Sequence, residues 1–467
     1  MSFYQANTNT GNSINENKDD GGKMERNNLA RRSLSAVPAS LFSMDDADSG
    51  ISRATTMMNS NSNHYNSMLL RDIYEEIHSM TKNTRLIPVP VNQIGVIRTH
   101  DILGVGTFCT ISRVTIVSDR KRRQPQQQQQ LYSHDPQQQQ LPVEQQQRFY
   151  ACKSVKDEFA CSGDRLGYIN AVAQLAYEAH VLSSLDHPNI IKIRGIRANG
   201  LDALFVGNRN SYYHTDNDTT TKGGVLGTFG NGFFLLMDVL HETLDQRIDR
   251  WRMDLQQSSI TDDNETYTTF LYRQHIDKYN VCLQLSSALE YLHSHNIVYR
   301  DLKPQNIGFA VSDGSLQLFD FGLCRELTQS QRKATGIIGT MRYMAPEVCL
   351  DQEYDCDCDI YSFVIVCWEL WTHCLPYETL TPNLYQDWVC QRGYRLDYQQ
   401  DRKKIPNQQQ HPIADVVPDE VLLLISQAWT HNPSSRIRWS TIQGQLTLFK
   451  QLEELRLEER ELFMYGS

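Results

Sequence analysis

The chain has 467 residues, a formal net charge of -10 and a sequence pI of about 5.8. This length exceeds one average domain and leaves room for tails and insertions around a larger one. The acidic balance argues against a general nucleic-acid binder, so we expect no nucleic acid among its partners.

The apolar segments and the cysteines bear on where the protein acts. The N-terminal MSFYQANTNT lacks the basic and apolar parts of a secretory signal, and the longest apolar runs, such as YSFVIVCWEL, are too short to span a bilayer. The 11 cysteines are irregularly spaced, which favours reduced thiols. We therefore expect a cytoplasmic protein that uses no membrane. The basic run at 120–123 leaves a nuclear location open, although a solvated loop is the favoured interpretation.

The N-terminal part of the chain is polar. Residues 1–67 are rich in Asn, Ser, Asp and Gly, which predicts a disordered tail because such a stretch buries too little apolar surface to order. Residues 68–93 are predicted to form a short helix and a linker, since MLLRDIYEEIHSM places apolar residues at helical spacing ahead of two prolines. We expect this helix to dock on the folded domain; a partner-binding helix is the alternative.

A β-rich region begins near residue 94. Its glycine-rich loop can bring the backbone close to phosphate groups, and it runs Gly104-Val105-Gly106-Thr107-Phe108-Cys109-Thr110-Ile111. A strand is predicted at 149–155, where Lys153 lies, and a helix at 170–185, where Glu178 is the only acidic residue. Polar low-complexity segments at 119–147 and 198–231 predict two loop insertions.

The second half of the chain reads mainly as helices. An apolar strand at 233–237 comes first, and a long helix with one apolar face is predicted at 276–295. Further loop insertions are predicted at 258–269 and at 394–412, the second of which is rich in glutamine.

Three carboxylate-bearing motifs follow one another in a fixed order after this helix. The first, YRDLKPQN, contains Asp301, Lys303 and Asn306; the second is Asp320 in DFG; the third is Glu347 in APE. Phosphoryl transfer from a magnesium nucleotide needs a carboxylate to accept the substrate hydroxyl proton. It also needs a carboxylate and an amide oxygen to hold the metal, and a cation near the γ-phosphate. The residue types and their order therefore carry much of the signal.

These motifs resemble the catalytic core of eukaryotic protein kinases. YRDLKPQN is similar to the H-R-D-L-x-x-x-N loop, with Tyr299 in place of His, and DFG and APE match the family motifs. The helix that begins with DIYSFV resembles one common in the tyrosine-kinase-like group. The resemblance implies one kinase domain over residues 94–450 and leaves 451–467 as a C-terminal helical tail. The implied fold is α+β and bilobal, with a small β-rich N-lobe that holds one main helix and a larger, mainly α-helical C-lobe.

The resemblance also implies a role for each residue of the motifs. Asp301 is the base, Lys303 steadies the γ-phosphate, and Asn306 and Asp320 hold Mg²⁺. Lys153, paired with Glu178, places the α- and β-phosphates. The residues expected to bind ATP are Gly104, Val105, Gly106, Thr107, Phe108, Ile111, Ala151, Lys153, Met237, Asp238 and Leu240. The implied cofactors are ATP and Mg²⁺.

Two further pairings follow from the resemblance. The activation segment runs from Asp320 to Glu347 and contains Thr328, Ser330 and Thr335 as possible phosphosites, of which Thr335 is the favoured candidate. Arg300 is the cation with which such a phosphate would pair. An upstream kinase or an adaptor is therefore a candidate partner. Glu347 is expected to form a buried ion pair with Arg436.

The implied function is serine/threonine protein kinase activity on Ser and Thr hydroxyls of protein substrates. Specificity for these hydroxyls rests on Lys303 and on Thr340. The rival interpretation is a pseudokinase scaffold that still binds nucleotide. Cys109 in place of the third glycine, and Gly308 where the family usually has a large apolar residue beneath the adenine, give that rival some weight.

Overall fold

A computed structural model describes residues 88–89, 94–96, 101–106, 108–116, 148–156, 165–197, 233–258, 264–397 and 417–465. The predicted disordered tail, the helix within 68–80 and the insertions at 119–147 and 198–231 lie outside the described residues. So does the greater part of the insertion at 394–412.

A twisted, mainly antiparallel sheet forms the N-terminal lobe. Its spatial order is β1-β6-β7-β5-β4-β2, and β3 also pairs with β4. The strands are β1 (Pro88–Val89), β2 (Ile94–Val96), β3 (Ile102–Val105), β4 (Cys109–Ile116), β5 (Phe149–Val155), β6 (Ile193–Arg197) and β7 (Phe234–Asp238). The predicted strand at 149–155 thus lies at the middle of the sheet, paired with β4 on one side and β7 on the other.

One long helix, α1 (Arg165–Ser184), packs on this sheet. Its buried face contributes Ala171, Val172, Leu175 and Ala179 to a cluster that also contains Phe233 and Leu235. The helix starts before the predicted residue 170, within a stretch that contains Gly167. Because glycine disfavours helix, the sequence pattern placed the start too late.

The larger lobe is built from helices. They are α2 (Leu244–Ser258), α3 (Asn264–Ser294), α4 (Pro346–Cys349), α5 (Asp357–Thr372), α6 (Pro382–Leu384), α7 (Asp419–Ala428) and α8 (Trp439–Tyr465). Helix α5 lies at the centre, with every residue from 358 to 371 buried. No helix among the described residues combines the length and the apolar character needed to cross a bilayer.

Two small sheets flank the loops that contain the YRDLKPQN and DFG motifs. Strands β8 (Leu240–Thr243), β10 (Ile307–Ala310) and β11 (Leu316–Leu318) form one, in the order β11-β10-β8. Strands β9 (Ile297–Val298) and β12 (Arg325–Glu326) pair as the other. The motif loops therefore begin and end on short paired strands.

The predicted loop at 258–269 is wrong at its C-terminal end. Helix α3 begins at Asn264, twelve residues before the predicted start at Ile276, and α2 extends to Ser258. Tyr267 and Leu271 are buried against the lobe. This packing outweighs the low helix propensity of the neighbouring threonines. The sequence pattern alone did not reveal the packing.

Helix α8 runs without a break through residue 450, where the domain was expected to end. The helix packs along α3, and Glu453 is buried there with its carboxylate 3.1 Å from Nδ1 of His275. The first part of the expected tail is therefore packed against the C-terminal lobe.

Candidate active site

A buried lysine joins the two lobes at the cleft between them. Lys153 Nζ lies 2.7 Å from a carboxylate oxygen of Glu178 on α1 and 2.7 Å from Oδ1 of Asp320. The backbone N–H of Phe321 donates to the other Glu178 oxygen at 3.3 Å. Burial by itself lowers the pKa of Lys153, but Asp320 and Glu178 outweigh it and hold the pKa above its ordinary value. The lysine therefore stays charged.

The second cluster surrounds Asp301. Lys303 Nζ donates to Oδ2 of Asp301 at 2.8 Å, and the hydroxyl of Thr340 donates to Oδ1 at 2.7 Å. Lys303 Nζ also donates to the Thr340 hydroxyl at 3.0 Å. A carboxylate held by an ammonium group and a hydroxyl has both the charge and the geometry of a base for an incoming hydroxyl.

Hydrogen bonds to α5 hold the loop that contains Asp301. Asp359, in the first turn of that helix, accepts the backbone N–H groups of Tyr299 at 2.7 Å and Arg300 at 2.9 Å. Its Oδ2 also lies 2.9 Å from Nε2 of His293. Three partners on a fully buried carboxylate fix the backbone immediately before Asp301.

Two residues of the motifs have left-handed backbone. Arg300 has φ of 73° and Asp320 has φ of 64°, a region that residues other than glycine occupy at a cost. Gly339 has φ of 115°, and a Cβ there would lie 2.3 Å from the carbonyl oxygen of Arg300. Sequence reasoning did not single out Gly339. Its position directly before Thr340 was the available signal.

The glycine-rich loop closes the N-terminal side of the cleft. Gly104 and Val105 end β3, and the N–H of Gly106 donates to the carbonyl of Cys109 at 2.8 Å, which makes a tight turn. Ile111 lies on β4, where it pairs with Gly104 of β3 on one side and with Lys153 of β5 on the other. Phe108 packs against the cluster beneath α1, together with Cys109. Thr107 lies outside the described residues.

The residues expected near the base of the nucleotide come from three strands. Ala151 and Met237 are buried neighbours in register on β5 and β7. The Asp238 carboxylate accepts from Arg194 at 2.9 and 2.5 Å, so this residue has its backbone, not its side chain, left for a ligand. Leu240 begins β8.

The residues expected to hold a metal fit a hard cation. Asn306 Nδ2 donates to the carbonyl of Asp301 at 2.8 Å and to its Oδ2 at 3.1 Å, which leaves the amide oxygen as the remaining polar atom. Asp320 has one oxygen on Lys153, and its side chain is 43% exposed. Amide and carboxylate oxygens suit a divalent cation such as Mg²⁺.

The remaining predicted residues lie around the activation segment. Arg436 donates to both oxygens of Glu347, at 2.6 and 2.8 Å, in the expected buried pair. Thr335 is exposed, and its carbonyl accepts from the hydroxyl of Tyr354 at 3.4 Å. That hydroxyl in turn accepts from Arg300 at 3.3 Å.

Comparison with known proteins defines the class. A model of the protein kinase domain matches residues 140–446, which is more than half of the chain. The chain therefore belongs to the protein kinase family, and its β-rich and helical lobes have the mixed α+β fold expected from the sequence. The structure extends the N-terminal sheet beyond the matched region, since β4 pairs along the whole of β5.

Kinases from a plant and from an insect are among the relatives of this chain. It is 33% identical over 171 residues to serine/threonine/tyrosine-protein kinase HT1 of Arabidopsis thaliana, which is 37% of this chain and 40% of that protein. It is 34% identical over 186 residues to serine/threonine-protein kinase STY17 of the same plant, over 40% of this chain and 29% of that protein. A putative mitogen-activated protein kinase kinase kinase 7-like protein of Drosophila melanogaster is 45% identical over 104 residues, 22% of this chain and 26% of that protein. The aligned region thus spans less than half the length of each relative.

Proposed function

We propose that this protein transfers the γ-phosphoryl group of ATP to serine and threonine hydroxyls of protein substrates. The observation that carries the proposal is the arrangement at Asp301, whose carboxylate accepts from Lys303 and from the hydroxyl of Thr340. A base that already accepts from a threonine hydroxyl has the geometry to accept from a substrate hydroxyl. The relatives include proteins named as serine/threonine-protein kinases, and these names support the same substrate class.

Each of these side chains then has a defined role in the transfer. Asp301 orients the substrate hydroxyl and accepts its proton, while Lys303 offsets negative charge beside it. Lys153 binds the α- and β-phosphates, and Glu178 keeps its ammonium group in place. Because the transition state is loose and highly charged, most of the acceleration comes from this positioning and charge stabilisation.

Asn306 and Asp320 are the proposed Mg²⁺ ligands. The ion, when bound, neutralises the charge that develops on the phosphate oxygens. Asn306 is held through its amide nitrogen by Asp301, so the metal ligand and the base are fixed relative to each other. Asp320 is held by the ion pair between its Oδ1 and Nζ of Lys153.

Phosphotransfer is tested with labelled ATP, Mg²⁺ and a generic protein substrate. We expect label on Ser and Thr, and a loss on the order of 1,000-fold in Asp301→Asn, as is typical when a group that acts on the reacting atoms is removed. Asp313→Asn, in the exposed turn between β10 and β11, is the matched control and should keep full activity. A folded wild-type chain that binds ADP but transfers no label would point instead to the pseudokinase scaffold.

We also propose that phosphorylation of Thr335 regulates the enzyme, by an upstream kinase or by a second copy of this chain. Thr335 is exposed and is joined to Arg300 through the hydroxyl of Tyr354, which supports a phosphate-dependent contact with that guanidinium group. Thr335→Ala should lower activity several-fold after incubation with ATP, with no change in ADP binding. Thr328→Ala, at a half-buried position of the same segment, is the control for side-chain loss. Equal activity of both variants and wild type would remove Thr335 from the mechanism.

Location and further partners follow from the sequence alone. A cytoplasmic or nuclear protein, with an adaptor recognising a phosphorylated segment, fits its acidic composition and its long polar N-terminal part. Fluorescence microscopy of the tagged full chain tests the location. Label at a membrane would contradict it.

A further inference from the structure

Two pairs of cysteines lie side by side in the C-terminal lobe. Cys282 on α3 and Cys367 on α5 have their sulfur atoms 3.5 Å apart. Cys349, the last residue of α4, is hydrogen-bonded through its side chain to Cys390, which lies in a π-helix that spans Tyr385–Gln391. All four residues are free thiols, and all four are buried. The two pairs therefore share a close partner, and they differ in their position in the fold and in their electrostatic surroundings.

The two elements that hold Cys349 and Cys390 pack against each other where the activation segment ends. The hydroxyl of Tyr385, the first residue of the π-helix, donates to the carbonyl of Met344 at 2.9 Å. The ring of Tyr385 also meets that of Tyr377 edge-on, with 5.1 Å between the centroids. These contacts keep the two thiols together without a covalent bond.

The hydrogen bond within this pair favours a thiolate on Cys349. It lowers the pKa of Cys349 below the ordinary value of a thiol, and burial, which acts in the opposite direction, does not overcome it. The same bond keeps the proton on Cys390 and raises the pKa of that residue. Because the thiolate is the form of cysteine that reacts with oxidants, the pair places a reactive sulfur directly beside a second thiol.

The other pair has a different position. Cys367 lies in the middle of α5, where all of its neighbours are buried, and burial raises its pKa well above the ordinary value. By contrast, Cys349 is followed two residues later by the exposed Asp351, and Cys390 is followed directly by the exposed Gln391. Helix ends open locally more readily than buried helix centres, so a small oxidant has a short path to the pair of Cys349 and Cys390.

We propose that Cys349 and Cys390 form a reversible disulfide when the protein is exposed to hydrogen peroxide, and that this bond ties the end of the activation segment to the π-helix. The Cys349 thiolate attacks one peroxide oxygen, the O–O bond breaks, and the hydroxide that leaves takes up the proton that the thiol had released. Cys349 is then a sulfenic acid. The sulfur of Cys390 attacks the sulfenic sulfur, and the departing hydroxide takes the proton of Cys390. Two thiols lose two electrons in total, and one peroxide is reduced to two waters.

The test treats the reduced full chain with hydrogen peroxide, blocks the remaining thiols with N-ethylmaleimide in denaturant, and maps the bonds by peptide mass spectrometry. We expect two peptides joined through Cys349 and Cys390, lighter by two hydrogen atoms and separated again by dithiothreitol. Cys282 and Cys367 should be recovered as maleimide adducts, although their sulfurs lie 3.5 Å apart. The melting temperature of the oxidised chain should rise by several degrees, because the bond closes a long loop of the unfolded chain.

Two variants of Cys390 separate the hydrogen bond from the disulfide. Cys390→Ser keeps a donor beside Cys349 and cannot form the disulfide, so peroxide should leave a sulfenic acid on Cys349 that dimedone traps. Cys390→Ala removes the donor as well, and trapping at Cys349 should slow several-fold because less thiolate is present. Cys282→Ala, in the other pair, is the matched control and should form the bond between Cys349 and Cys390 at the wild-type rate.

The proposal is overturned if Cys349 and Cys390 are both recovered as maleimide adducts at a peroxide concentration that oxidises the free thiol of glutathione, or if Cys282 and Cys367 become joined first. Oxidation of Cys349 to a sulfinic acid without a cross-link would also overturn it, since Cys390 would then lie out of reach. So would a lower melting temperature of the oxidised chain, or equal trapping rates in the two Cys390 variants. The mapping and the melting temperature use the wild-type chain, so they decide the matter even where a variant fails to fold.

Discussion

The buried pair between Glu347 and Arg436 shows how much a single side chain contributes to this fold. Arg436 is fully buried and donates to both carboxylate oxygens and to the carbonyl of Asp357 at 2.8 Å. We predict that Glu347→Ala lowers the free energy of unfolding by about 3–5 kcal/mol, because Arg436 is left charged without a counterion. Urea denaturation of the two chains measures the difference.

The control for that prediction is an exposed pair of the same kind. Asp249 and Arg252 lie 2.6 Å apart on α2, with side chains 57% and 48% exposed. Asp249→Ala should therefore cost less than about 1 kcal/mol. If both variants lost the same free energy of unfolding, burial of the Glu347 ion pair would make no extra contribution to stability.

Glu369 makes stability depend on pH. Burial, aided by the nearby carboxylates of Asp245 and Asp249, raises the pKa of Glu369 to about 7, although the hydroxyl of Tyr343 donates to it at 2.7 Å and opposes the rise. The folded chain therefore keeps a proton that the unfolded chain releases near pH 4.5. The contribution of Glu369 to stability consequently falls as the pH rises from about 4.5 to about 7.

We predict that Glu369→Gln removes this pH dependence. Glutamine has nearly the same shape, can accept from the Tyr343 hydroxyl and carries no charge, so the variant should gain stability over wild type as the pH rises. The gain should reach at most about 3 kcal/mol at pH 8 and vanish near pH 4. Urea denaturation at a series of pH values gives the difference; a constant difference between the two chains would show that Glu369 does not titrate in this window.

At the scale of an element, two glycines should respond to the same substitution in opposite ways. Gly444 lies inside α8 with open space around its Cα, so Gly444→Ala should add about 0.5–1 kcal/mol to the free energy of unfolding. Gly339 has left-handed backbone, and its new methyl group would meet the carbonyl of Arg300. Gly339→Ala should cost at least about 1–2 kcal/mol.

Thermal unfolding of the two glycine variants checks both signs. Phosphotransfer gives a second readout, because Gly339 lies beside Thr340, whose hydroxyl is bonded to Asp301. Gly339→Ala should therefore lose activity, whereas Gly444→Ala should retain it. A harmless Gly339→Ala would show that the segment can move away from Arg300 at little cost.

Helices and strands were predictable from the sequence where a local pattern of side chains was enough to define them. The strand at 149–155 was predicted because its residues alternate in the manner of a strand, and the helix that bears Glu178 because its apolar residues fit a helix. The start of α3 at Asn264 was missed since it depends on packing of Tyr267 and Leu271 against distant residues.

The same limit applies to the site. The contact of Lys153 with Glu178 was implied by the resemblance to protein kinases, and Glu178 is the only acid in the sequence of its helix. The close approach of Gly339 to Arg300, and that of Gly308 to Leu240, join segments far apart in the chain. Such distances depend on the final packing, and no local spacing encodes them.

At the scale of the whole molecule, a few bonds join the lobes across the cleft. The N–H of Ile191, just after α1, donates to the carbonyl of Leu318 at 3.0 Å, and the N–H of Leu318 donates to the carbonyl of Asn189 at 2.8 Å. Lys153 adds an ionic link between the N-terminal sheet and Asp320. The segment that follows α1 is thus fixed to the C-terminal lobe, while Glu178 within the helix bonds to Lys153.

This arrangement predicts that Glu178→Gln separates catalysis from folding. Asp320 still holds Lys153 in the variant, and the hydrogen bonds between Ile191 and Leu318 still fix the segment after α1, so the melting temperature should change by only a few degrees. The ammonium group loses one of its two charged partners and is held less firmly, and a displacement of about 1 Å at such a group can lower the rate about 100-fold. Asp186→Asn, which removes the exposed partner of Lys192, is the control and should change neither quantity. If Glu178→Gln transferred phosphate at the wild-type rate, the Asp320 contact alone would be sufficient to place Lys153, and the position of α1 would have no part in catalysis.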